Sequence, residues 1–105
     1  MDINESLLRA ILATVARSTF PVTEVRKIVA PIGDGQKQIA AYNLCDGKTS
    51  QSEIGKMAKL DPASVSRSIA RWIEAGVVVR VGVEQYPLHV YALTKNDLKP
   101  STIER

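Results

Sequence analysis

Apolar residues recur at helical spacing from the start of the chain. Ile3, Leu7, Leu8, Ile11, Leu12 and Val15 share one stripe of a 3.6-residue period, which predicts a helix over 3–18. Asp2, with Glu5 three residues on, forms a capping-box pattern at its start, and Pro21 bars its continuation. A shorter helix is predicted from Thr23 to about Val29, weakened by the β-branched Val25, Ile28 and Val29. Pro31, Gly33 and Gly35 punctuate a loop. A third helical pattern runs from Gly35 or Gln36 to Cys45, with Asp34 as its cap. Asp46-Gly47 stops it, Gly47 being able to take a left-handed backbone.

The next two helices are the best marked. Ser50 and Glu53 form a second capping box, after which Ile54, Met57 and Ala58 are expected to face inward. Asp61-Pro62 combines a strong N-cap with a residue suited to the first helical position, and Gly76 terminates the helix that follows. Within it Val65, Ile69, Trp72 and Ile73 lie inside an arc of about 100°. Ala63, Ser64, Arg67, Arg71 and Glu74 fall on the other side. Then the period changes: the valine-rich stretch from Val77 to Val83 and the stretch from Leu88 to Leu93 read as strands joined by Glu84, Gln85, Tyr86 and Pro87. Residues beyond Thr94 are polar, with one helical turn expected at Lys95 to Leu98 and a frayed tail after Pro100.

With 105 residues the chain is expected to form one domain, which buries roughly 65% of the surface of the unfolded chain. No apolar run approaches the roughly 18 residues of a membrane span, and the acidic Asp2 and Glu5 do not suit a secretory signal, so a cytoplasmic protein without membrane contact is expected. The lone Cys45 allows no internal disulfide and reads as a small buried hydrophobe, a redox-sensing thiol being the lesser alternative. Lone His89 reads as a surface or half-buried strand residue. With no ligand spacing around it, no metal or other cofactor is expected. Ser64, Ser66 and Ser68 have no indicated base beside them, Trp72 and Tyr42 read as core, and no catalytic constellation emerges.

Charge changes the picture. The net charge is +3, and the stretch from Lys48 to Arg80 holds Lys48, Lys56, Lys59, Arg67, Arg71 and Arg80 against Glu53, Asp61 and Glu74. All of the excess positive charge is therefore in that stretch, where a polyanion would be attracted by counterion release. A helix presented by a tight turn, apolar inside and small and basic outside, fits a major groove about 12 Å wide. Arg67 could fork onto a guanine or a phosphate, and Ser64 could bond a base edge or phosphate.

The segment SEIGKMAKLDPASVSRSIARWIEAGVVVR, with Ala63-Ser64-Val65-Ser66-Arg67, the exit Glu74-Ala75-Gly76-Val77-Val78 and the later Tyr91-Ala92-Leu93-Thr94, resembles the winged helix-turn-helix regulators, especially the MarR-like and ArsR-like groups. The resemblance spans Gln51 to Thr94. It implies a mainly α fold with a small β-hairpin (α+β) of winged helix-turn-helix type: an N-terminal helical extension over 1–34, the winged domain over 35–98 and a flexible tail over 99–105. It implies a non-enzymatic, small transcriptional regulator that binds double-stranded DNA. By this resemblance Pro62, Ala63, Ser64, Ser66 and Arg67 meet DNA, Arg71 reaches the backbone, and Ser50 and Gln51 meet a phosphate. The hairpin would be the wing. Its tip departs from the basic pattern of the family, since Glu84 would repel phosphate: either the wing is too short to touch DNA, or only Arg80, Gln85 and Tyr86 contact it. The competing expectation is a winged helix that binds another protein, because fold does not fix function. A homodimer is also expected, with the stripe on the first helix either forming the dimer surface or packing on its own domain.

Overall fold

The computed structural model describes residues 3–32 and 35–94. Expectations for Asp2, Gly33, Asp34, the turn at Lys95 to Leu98 and the tail lie outside these residues. Among the described residues, five helices are followed by one antiparallel hairpin: α1 (Ile3–Thr19), α2 (Val22–Val29), α3 (Gln36–Asn43), α4 (Gln51–Ala58), α5 (Pro62–Ala75), β1 (Val78–Val81) and β2 (Tyr86–His89). The architecture is thus mainly helical with a small hairpin. No helix among the described residues is long and apolar enough to cross a membrane.

Local chemistry sets most of the boundaries. Ser50 Oγ accepts the Glu53 N–H at 3.2 Å, and Asp61 Oδ2 accepts the Ser64 N–H at 3.1 Å, each satisfying an orphan donor of a first helical turn. Gly76 ends α5 with φ +88°, where the Val77 N–H donates to Trp72 O and the Gly76 N–H to Ile73 O. The third helix ends at Asn43, two residues before the expected Cys45, with Leu44 as its cap.

Trp72 is the centre of the core. It is fully buried with Tyr42, Ile54, Ile69, Val25, Val29, Val65, Val77 and Val78. The rings of Tyr42 and Trp72 meet T-shaped, 5.6 Å between centroids, a favoured aromatic geometry. Helix α2 packs on α3 and α5, α3 on α4, α4 on α5, and α5 on β1. Tyr42 Oη donates to Tyr91 O at 2.7 Å, and Tyr91 Oη donates to Phe20 O. These two bonds tie the segment after the hairpin to α3 and to the end of α1.

Three expectations need correcting. Met57 does not face inward: it is 60% exposed, and the inward face of α4 is Ile54, Gly55 and Ala58. The hairpin turn is Gly82 to Gln85, so Tyr86 and Pro87 belong to a strand. Pairing sets Val81 opposite Tyr86 and Val78 opposite His89. Pro87 is tolerated because its carbonyl faces the short segment at 45–47, accepting the Gly47 N–H at 2.9 Å, so the missing donor falls on a side with little ladder to lose. Finally, of the stripe on α1 only Leu12 packs against the core, beside Ala13, and Ala16 is the one buried residue of the helix. Ile3, Leu7, Leu8, Ile11 and Val15 are all at least half exposed.

Candidate nucleic-acid interface

Helix α5 divides cleanly into two sides. Val65, Ser68, Ile69 and Trp72 are buried, whereas Pro62, Ala63, Ser66, Arg67, Ala70 and Arg71 are exposed and Ser64 is half-buried. The turn before it spans Lys59 to Asp61. Lys59 adopts φ +60°, and the Leu60 N–H returns to Gly55 O at 2.9 Å, closing α4 before α5 begins.

The start of α5 is a polar relay. Ser64 Oγ donates to Asp61 Oδ1 at 2.7 Å, and Arg67 Nη2 donates to Ser64 Oγ at 3.4 Å. Hydrogen bonds from the Ser64 hydroxyl and then its N–H hold the Asp61 carboxyl below the usual carboxylate range, with a smaller contribution from the charge of Arg67. Asp61 therefore stays negative at the start of α5, where the exposed amides would otherwise favour an anion. Four residues beyond Arg67, Arg71 Nη2 donates to Val29 O at 3.4 Å, tethering the guanidinium to the end of α2. No sequence pattern pointed to that tether.

A second cluster forms around Arg80 on β1. Its Nη1 donates to Gln85 O at 3.2 Å and its Nη2 to Gln51 Oε1 at 3.3 Å, joining the hairpin turn to the start of α4. Gln85 has φ +58° and donates from Nε2 to Gly82 O, which folds the turn onto itself. Between α4 and the start of α5 lies a shallow groove of about 240 Å³ lined by Gln51, Ser52, Gly55, Lys56, Leu60 and Pro62. Gln85, Arg80, Gln51 and Pro62 thus form a connected surface, with Ser50 at its edge as the α4 cap. Ser64 and Arg67 continue it along α5, and Tyr86 is half-buried at the base of the turn. Lys56 joins this surface; the sequence marked it only as one of the basic residues between Lys48 and Arg80.

Cys45 and His89 are turned inward. The Cys45 thiol is completely buried and donates to Ala41 O; burial first, then the negative Asp46, pushes it up to about 12. His89 is more buried than the sequence suggested, at 8% exposure, and its Nδ1 bonds Tyr42 O at 2.9 Å. Since a carbonyl only accepts, Nδ1 carries the proton. Burial lowers the His89 pKa despite the opposing Tyr42 hydrogen bond. Among the described residues no group of three or more His, Cys, Asp or Glu is placed to hold a metal ion. The chain matches no protein-family model, no curated protein and no solved structure.

Proposed function

We propose that this protein binds double-stranded DNA, presenting α5 to the major groove, and serves as a small transcriptional regulator of the winged helix-turn-helix kind. The observation that carries this reading is the exposed face of α5: Ala63, Ser66, Arg67, Ala70 and Arg71 project away from a core anchored by Trp72 and Ile69. Its residues are small or basic, so a helix could approach base edges closely while its arginines met guanine or phosphate. The hairpin after Gly76, bound to α4 through Arg80 and Gln51, supplies a second projection beside it. Under this reading Ser50, Gln51 and Lys56 meet the backbone, and Arg80, Gln85 and Tyr86 contact it from the hairpin.

Binding to mixed genomic duplex DNA at two salt concentrations, with the native protein and Arg67→Ala/Arg71→Ala, tests it. Affinity should fall steeply with salt. The double variant should lose roughly 1–3 kcal/mol for a base contact and show a shallower salt slope for lost phosphate contacts. Equal, weak binding by both proteins would remove the proposal.

One observation favours a protein partner instead. The hairpin tip carries Val83, 95% exposed, next to Glu84. An apolar and acidic tip suits a protein surface better than a phosphate backbone.

A further inference from the structure

Helix α1 meets its own domain closely along only part of its length. Toward its end, Leu12, Ala13 and Ala16 touch the core. Nearer its start, Glu5, Leu8 and Arg9 continue the same face: at 3.6 residues per turn, residues 5, 8, 9 and 12 fall within an arc of about 100°. There the helix stands off the hairpin and leaves a half-open cleft of about 340 Å³. That is at the lower end of the roughly 300–1,000 Å³ of small-molecule sites. Gly47, Val81 and Leu88 form the wall opposite α1. A second depression, of about 190 Å³, shares Arg9 and Leu88 with the first and is also lined by His89 and Tyr91.

The charges around the cleft differ in whether they are matched. Glu5 Oε2 stands 3.8 Å from Lys48 Nζ. Asp46 accepts the Lys48 N–H at 2.8 Å and the Thr49 hydroxyl at 3.1 Å. Arg9 is half-buried, lines both depressions, and has no hydrogen bond or ion pair among the described residues. A guanidinium carries five donors and does not deprotonate, so drawing it part-way out of water without a partner is unfavourable, and a bound anion offsets that cost. We infer that the cleft is a binding site for a small aliphatic carboxylate, its headgroup on the Arg9 guanidinium and its chain between Leu8, Val81 and Leu88. Arginine matches a carboxylate with two parallel N–H bonds. Among the described residues no aromatic ring lines the larger cleft, so its branched walls suit an alkyl chain and offer no face on which a flat ring could stack. Glu5 and Asp46 repel the headgroup, which keeps it at the Arg9 end, toward His89. An occupant would join α1 to the segment that leads into α4 and to the hairpin.

The inference does not rest on DNA binding, and its test contains no nucleic acid. Octanoate is the probe. The chain has a single histidine, so the proton signal of the His89 ring can be followed without overlap from another. The charged groups that face it are Arg9 from α1, which opposes its protonation, and Asp46 after α3, which favours it. Tyr42 O holds its Nδ1, and Tyr91 lines the same depression. A carboxylate on Arg9 offsets the opposing charge, so saturating octanoate should move the His89 titration to higher pH. Arg9→Gln should weaken octanoate binding about tenfold with unchanged helical circular dichroism. In that variant His89 should titrate higher without octanoate, and no higher with it. Leu8→Gln, at a position 66% exposed, should also weaken binding with the fold intact. Octylamine, equal in chain length and opposite in charge, should bind more weakly than octanoate, and so should benzoate. No saturable octanoate binding at millimolar concentration overturns the inference, as does native affinity in Arg9→Gln or Leu8→Gln. A His89 titration that octanoate leaves in place, or octylamine binding as tightly as octanoate, overturns Arg9 as the anchor. Benzoate binding more tightly than octanoate overturns the aliphatic chain.

Discussion

A methyl group added to Gly55 would lie 3.0 Å from Val65 Cγ2 and 3.3 Å from Leu60 O. The missing side chain is what lets α4 and α5 approach, and so what sets the angle at which α5 projects. In isolation a glycine inside a helix costs about 1 kcal/mol relative to alanine, so propensity alone would make Gly55→Ala stabilising. The contact reverses the sign: overpacking costs about 1–3 kcal/mol. Urea unfolding should show Gly55→Ala to be less stable than the native protein, and a raised midpoint would show that the helices can separate without penalty.

His89 gives the fold a pH dependence. Burial depresses its folded pKa below the ordinary 6.5, outweighing the Tyr42 hydrogen bond and the Asp46 carboxylate, which favour the cation; Arg9 adds to the depression. The unfolded chain therefore takes up the proton first. The stability associated with neutral His89 is complete above about pH 6.5 and is lost as pH falls from there through the folded pKa. Thermal melts should hold steady from pH 8 to 7 and decline toward pH 5. In His89→Gln, which keeps a donor for Tyr42 O, the melting temperature over that range should be nearly flat. A native protein with the same melting temperature at pH 7 and pH 5 would contradict this account.

Cys45 should be chemically silent in the folded protein. Its thiol is fully buried and pushed up to about 12, leaving almost no thiolate near neutrality. A thiol-specific chromogenic reagent should label it at the rate of unfolding, and rapidly only in denaturant. Fast labelling of the native chain would revive the redox-sensor alternative.

Asp61 separates stability from nucleic-acid affinity. Its carboxylate caps α5 while placing a negative charge at the face proposed to meet DNA. Asp61→Asn keeps an acceptor for the Ser64 N–H, so the melting temperature should be little changed. With the charge gone, affinity for duplex DNA should rise severalfold. Unchanged or weaker affinity in a folded Asp61→Asn would place the DNA elsewhere on the surface.

Gly76→Ala should destabilise strongly. The position has φ +88°, and a Cβ there would meet Phe20 Cζ at 3.3 Å. A left-handed residue with a side chain costs roughly 1–2 kcal/mol before any contact is counted. Chemical denaturation would register a loss of at least that size, and an unchanged midpoint would mean that the helix exit can be rebuilt.

What the chain alone determined is what acts over a few residues. Ser50 reaches Glu53, Asp61 reaches Ser64, and Gly76 closes the last turn of α5, so the limits of α4 and α5 could be read directly from the residues. The two-sided pattern of α5 was legible for the same reason, because a 3.6-residue period is a local property. The tertiary structure decided what depends on which surfaces meet. Pro87 looked like a turn until the Gly47 N–H found its carbonyl, and His89 looked like a surface or half-buried strand residue until Tyr42, distant in sequence, supplied an acceptor. Periodicity located the stripe on α1 but not its direction. That direction was set at one edge of the stripe, where Leu12 joins Ala13 and Ala16 in taking the core contacts, which turned Leu7 and Ile11 outward.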